Sequence, residues 1–265
     1  QLSAFINKLK RAIAENLKAA SEGTKLRAVM EGNPFVFELS EDRQASFHAK
    51  LKHLLGHPPS DFFAGAKTYF EQLALDPKTD TEKWKEVGLQ GIADLCVLQH
   101  DQSVDNILQK SIASLPDIPF LCVCQCLEHE SPSAALTLAI SQRLGLSMQN
   151  PILVASALKA MSQSNSQDIR TQDIYAILQS PIRSNPEILS TLATRCSHDL
   201  KQSQLTLPFL EALALLPVEA FKRIVVEILY QPGMRPTIMA ACRNPERSET
   251  LAIAIGALFG TDKTV

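Results

Sequence analysis

Four dipeptides, Ser131-Pro132, Asn150-Pro151, Asn185-Pro186 and Asn244-Pro245, punctuate the second half of the chain, most of them just ahead of apolar residues at helical spacing. An Asn or Ser side-chain oxygen accepts a hydrogen bond from the first free backbone N–H groups of a helix, and a proline in the first turn gives up no bond there. Each pair therefore reads as a helix start, and the chain as a string of short, capped helices. No signal of comparable strength points to chemistry.

Read from the beginning, a first helix is expected from Ser3 to Ala20, ending before Gly23. Residues 26–37 depart from helical spacing: Leu26 to Met30 and Phe35-Val36-Phe37 alternate about Gly32-Asn33-Pro34, the pattern of a small hairpin. Ser40 starts the next helix, with Phe47, Leu51, Leu54 and Leu55 on its core face, Gly56 as its stop and His57-Pro58-Pro59 as a turn. Ser60 starts another, carrying Phe62, Phe63, Tyr69, Phe70 and Leu73 and ending at the polar residues 76–80. A longer helix is expected from Trp84 to Leu98; it contains Gly88 and Gly91, each costing roughly 1 kcal/mol in a helix interior, which points to close packing. Ile118 to Leu127 is apolar nearly all round and reads as a central buried helix.

Beyond residue 130 the expected helices are short and regular: Pro132–Leu144, Pro151–Met161, Asp168–Leu178, Pro186–Cys196, Leu207–Leu216, Val218–Tyr230, Pro236–Cys242 and Glu249–Phe259. The Asn-Pro starts at 150 and 185 lie 35 residues apart. A period of this size, with two helices per unit, belongs to helical repeats that stack because one pair cannot bury its apolar face alone. The fold expected is all-α, an irregular HEAT-like α-solenoid, with a compact helical bundle as the alternative. Residues 1–57 form its N-terminal helices with the extended excursion, 58–130 a central region and 131–265 the regular repeats, in one continuous array.

Composition places the chain among globular proteins, with 45% apolar and 20% charged residues. No apolar run approaches the ~20 residues of a membrane span and the start has no signal-peptide order, so a cytoplasmic location without membrane association is expected. Six irregularly spaced cysteines, Cys96, Cys122, Cys124, Cys126, Cys196 and Cys242, read as reduced core thiols. A net charge of −2 disfavours nucleic acid as the main partner. Residues 1–57, with nine Lys or Arg against six Asp or Glu, are nevertheless positive, and the remainder is negative. Lys8, Lys10, Arg11 and Lys18 fall between Phe5, Leu9, Ile13 and Leu17, the arrangement of a solvated face.

Several segments in order, Asn33-Pro34-Phe35, Phe47 to Lys52, Trp84 with Gly88 to Asp94, Cys124 to His129, Pro232 to Pro236, Pro245 to Ser248 and Ile255 to Gly260, resemble an uncharacterised gammaproteobacterial domain family of unknown function. The resemblance covers the chain from about residue 33 onward. It implies a bacterial, cytosolic protein, and a start at Gln1 implies a fragment of a longer one. It carries over no activity, ligand or catalytic residue.

Candidate sites must then come from the residues themselves. Cys122, Cys126 and His129 share one helix face at i, i+4 and i+7, and Cys96 with His100 offers a second pair, a set that zinc accepts; the spacing matches no zinc knuckle or ribbon, and core thiols with no metal and no cofactor are expected. No serine elbow, Walker or Rossmann pattern is present, and Glu41-Asp42 and Glu128/Glu130 read as acids at helix ends. Two polar clusters are the candidate binding sites. One is Trp84, Gln90 and Asp94 on one helix with Glu128 and His129, suited to peptide recognition. The other is Arg235, Arg243 and Arg247 about Asn244-Pro245, where guanidinium forks and free N–H groups could grip an anion, the plainer reading being a salt-bridged cap with Glu246 and Glu249. A non-catalytic scaffold or adaptor with a protein partner is favoured. Nucleic-acid binding is the alternative, and after it an enzyme of unrecognised type using His129, Glu128 and Asp94.

Overall fold

The Asn-Pro pairs at 150 and 185 do what their chemistry requires. Asn150 Oδ1 accepts from Ile152 N at 3.2 Å, and Asn185 Oδ1 accepts from Glu187 N at 3.0 Å, with the proline in the first turn of each helix. The computed structural model describes residues 40–77 and 81–260, which are all-helical: α1 Glu41–Leu54, α2 Phe62–Leu75, α3 Leu89–Val97, α4 Gln102–Ser111, α5 Asp117–Leu127, α6 Ala134–Leu146, α7 Pro151–Met161, α8 Gln167–Leu178, α9 Pro186–Arg195, α10 Ser203–Leu213, α11 Val218–Leu229, α12 Met234–Cys242 and α13 Glu249–Phe259. The helix expected at 3–20 and the hairpin expected at 26–37 lie outside the described residues. Among the described residues no helix is long and apolar enough to cross a membrane.

Several expectations need correction. The Ser131-Pro132 pair does not cap α6; Ser133 does, accepting from Leu136 N at 3.1 Å. Asn244 caps only a turn, accepting from Glu246 N at 2.8 Å, and α13 starts after Ser248. The long helix from Trp84 is two elements: a 3₁₀ turn over Thr81–Glu86, then α3. Gly88 stands between them at φ +66°, a left-handed conformation that ends one element and frees the chain to start the next. Gly91, inside α3, does mark close packing, because a Cβ there would lie 2.6 Å from the carbonyl oxygen of Phe62 on α2. The helix α4, capped by Asp101 on Ser103 N at 2.8 Å, was not expected from the pattern.

Stacking follows from shortness. Helices of three turns or so bury little alone, and here every second one packs on the next: α1, α3, α5, α7, α9, α11 and α13 form one layer, and α2, α4, α6, α8, α10 and α12 the other. Neighbours also meet across the layers, as α2 on α3, α6 on α7 and α11 on α12 do. Between the layers lies the core, with Phe70, Phe120, Phe209 and Phe221 fully enclosed. As expected, α5 is central: Phe120, Val123, Cys124, Cys126 and Leu127 are buried, with α1, α3 and α7 against them.

The first helix overturns its expectation. α1 buries Ala45 and Ala49, small enough to admit α3 and α5 closely, and leaves Phe47, Leu51, Leu54 and, just past its end, Leu55 exposed.

Candidate functional site

Of the first polar cluster, Gln90, Asp94 and Glu128 are taken up by fastening one element to another. Trp84 sits half-buried in the 3₁₀ turn against the core and shares no helix with Gln90 and Asp94. Asp94, buried on α3, accepts from Ser60 N at 2.9 Å and from the Ser60 hydroxyl, which holds the turn leading into α2. Gln90 Nε2 donates to the carbonyl oxygen of Ala45 on α1 at 3.2 Å.

Past the C-terminus of α5, Glu128 and Glu130 are buried and His129 is exposed. Glu128 pairs with Arg195 at the end of α9, while Glu130 receives Lys50 of α1 at 2.6 and 2.8 Å. The set His129, Glu128 and Asp94 therefore does not form one site: two members are engaged with different partners and the third faces solvent.

The thiols sit in or at the core. Cys96, Cys124, Cys126, Cys196 and Cys242 are buried and Cys122 is half-buried. Burial pushes the Cys122 thiol up to about 11 and that of Cys196 up to about 12, so both are protonated at neutral pH and poor nucleophiles. Among the described residues, no three His, Cys, Asp or Glu side chains are grouped so as to hold a metal ion. Cys122, Cys126, His129, Cys96 and His100 are thus not brought together as ligands.

The arginine cluster is dispersed. Arg235 is the second residue of α12 and Arg243 follows its last, so roughly 12 Å of helix separates them at 1.5 Å per residue. Arg247 Nη1 donates to the Asn244 carbonyl oxygen at 3.1 Å. The nearby N-terminus of α13 already holds an anion, since Glu211 of α10 accepts from Ser248 N at 2.7 Å and from its hydroxyl. Among the described residues none of the three arginines pairs with Glu246 or Glu249, so the salt-bridged cap does not form there.

The site that the pattern misassigned is on α1. Phe47, Leu51, Leu54 and Leu55 are 57%, 42%, 71% and 62% exposed, and at i, i+4, i+7 and i+8 they form one stripe covering roughly a third of the helix circumference, the width of a stripe that normally faces a core. Arg43 borders it on one side, His48 and Lys52 on the other, and no acidic residue occurs from residue 43 to 57. Lys50, next to Arg43 on the wheel, is spent on Glu130. Concavities lie elsewhere, two of them about 500 Å³ in volume. A groove of about 490 Å³ beside α8 and α10 has Leu178, Leu207, Pro208 and Leu215 in its lining together with Arg183 and Glu246, and a hollow of about 520 Å³ lies by Arg143 and Leu146. Both have mixed linings, whereas the α1 stripe is the longest run of exposed large apolar side chains on any one described helix.

In comparison with known proteins, the family described as a protein of unknown function (DUF3549) matches residues 1–259. No curated protein and no solved structure matches the chain.

Proposed function

We propose that this chain, which belongs to the DUF3549 family of proteins of unknown function, is a non-catalytic scaffold that holds another protein on the outer face of α1. The observation that carries the reading is the exposed stripe Phe47, Leu51, Leu54 and Leu55. Water-exposed apolar area of this extent on one helix costs free energy in the isolated molecule, and a partner that covers it recovers that cost. The stacked layers, read as irregular HEAT-like repeats, supply a stiff support on which such a face is held ready. A location in the cytoplasm belongs to the same reading. Nucleic acid as partner would need Arg235, Arg243 and Arg247 to join the basic residues of α1 on one surface, and the length of α12 between Arg235 and Arg243 speaks against that.

The test is affinity capture with the full chain from cells of its own kind, comparing wild type with Leu51→Asp/Leu54→Asp and with Arg235→Glu/Arg243→Glu/Arg247→Glu, with nuclease treatment of the eluate. A discrete protein that survives nuclease, persists with the arginine variant and is lost with the leucine variant is the expected result. Capture abolished by nuclease, or a partner indifferent to Leu51 and Leu54, would overturn it.

A further inference from the structure

We infer that the partner element seated on α1 is an amphipathic helix whose apolar stripe is bordered by acidic side chains. The inference rests on the reading of α1 as the docking face and adds the chemistry of what docks there.

That the occupant is a helix follows from how the layer is built. α3, α5, α7, α9 and α11 each have a helix of their own layer on both sides, while α1 has described helices only on its inner side. The outer side carries large residues at i, i+4, i+7 and i+8, a ridge that another helix can straddle, and the stripe is about one helix wide. A helix laid there would continue the packing that every interior member of the layer already makes.

That its borders are acidic follows from charge. Arg43 and Lys52 have no ion-pair partner among the described residues and stand on opposite edges of the stripe, with His48 on the same edge as Lys52. The acids of α1, Glu41 and Asp42, lie in its first turn, where they favour the helix dipole, and not along the stripe. Glutamates or aspartates on both borders of the incoming helix would meet these cations, whereas basic borders would be repelled. The same argument disfavours a second copy of this chain, which would bring the cationic edges of two α1 helices against each other.

The probes are two synthetic helical peptides of about 18 residues with identical leucine stripes, one bordered by Glu and one by Lys, titrated by fluorescence anisotropy into the full chain. The Glu-bordered peptide should bind about tenfold tighter, with the gap closing at high salt as the charges are screened. Arg43→Glu/Lys52→Glu should reverse the preference, and Leu51→Asp/Leu54→Asp, whose exposed positions leave the melting curve unchanged, should abolish binding of both. Equal affinity for the two peptides overturns the acidic-border inference while the docking reading stands. Binding that survives Leu51→Asp/Leu54→Asp, or no binding of either peptide, overturns both. A dimer by light scattering that Leu54→Asp dissociates, or co-sedimentation with anionic vesicles in preference to the Glu-bordered peptide, assigns the face to a second copy or to lipid and overturns the inference.

Discussion

Arg170 on α8 grips Asp199 with two parallel hydrogen bonds, Nε to Oδ2 at 3.1 Å and Nη2 to Oδ1 at 2.8 Å, and both side chains are buried. The third edge of the guanidinium donates to the Ser164 carbonyl oxygen, and the Ser164 hydroxyl meets that of Thr137 on α6 at 2.7 Å. One arginine thus ties the segments leading into α8 and α10 to each other and, through Ser164, to α6, and the geometry is the planar, bidentate kind that only Arg supplies. Removing one partner strands a buried charge. Asp199→Ala should lower stability by about 3–5 kcal/mol, while Arg170→Met/Asp199→Leu should restore much of it, both read from urea unfolding midpoints. A loss under about 1 kcal/mol in the single variant would mean that the pair is not sealed from water.

Two glycines within helices make opposite predictions. A Cβ at Gly91 would lie 2.6 Å from the Phe62 carbonyl oxygen and 2.8 Å from Ala66 Cβ, so Gly91→Ala must push α2 and α3 apart and should lower the melting temperature. At Gly65 of α2 a Cβ meets nothing, and Gly65→Ala should raise stability by up to about 1 kcal/mol. Equal effects of one sign would sink this account of the α2–α3 contact.

Asp173 of α8 carries a pH dependence. Ser141 Oγ donates to its Oδ1 at 2.9 Å, but Oδ2 is buried with no hydrogen-bond partner, and burial raises its pKa above the ordinary carboxylate value. The folded state then binds this proton more tightly than the unfolded one, so the group costs stability as pH rises from the ordinary value through the raised one, and the cost stays in place at neutral pH. Asp173→Asn should therefore be more stable than wild type at neutral pH, and the difference should vanish below the ordinary carboxylate range. A difference that persists unchanged in acid would assign it to packing instead.

Caps divide by what they hold. Asn150→Ala and Asn185→Ala, which free the first N–H groups of α7 and α9, should each cost about 1 kcal/mol. Asn244→Ala should cost clearly less, because Asn244 holds a turn and Ser248 caps the helix that follows. Denaturation of the three single variants side by side checks the ranking.

Leu127 tests the centre of the array. It is fully buried on α5, and Leu127→Asp should unfold most of the chain because an aspartate there has no partner to offset its desolvation. Circular dichroism at ambient temperature would reveal it, and a near-native spectrum and melt would show that α5 is not central.

Legibility in the sequence tracked how local each cause was. The helices at 151–161 and 186–195 could be read almost to the residue, because Asn-Pro capping is completed within three residues of chain. The break at Gly88 could not, since apolar spacing continues through it from Trp84 to Val97 while the backbone turns left-handed against the Phe62 ring. The polar clusters failed for a related reason. Asp94, Glu128 and Glu130 look free in the sequence, and their partners Ser60, Arg195 and Lys50 lie 34, 67 and 80 residues away.

Caps, prolines and apolar spacing act over one or two turns, and from them alone the chain is legible as a series of short helices. Which side of each helix faces inward depends on contacts between helices distant in sequence. α1 carries two stripes of helical period, Ala45 with Ala49 and Phe47 with Leu51, Leu54 and Leu55, and hydrophobicity alone assigns the larger one to the core. The alanines took that place because α3 and α5 approach closely on their side, where Gln90 bonds the Ala45 carbonyl oxygen and Lys50 reaches Glu130, and this left the large residues on the outside.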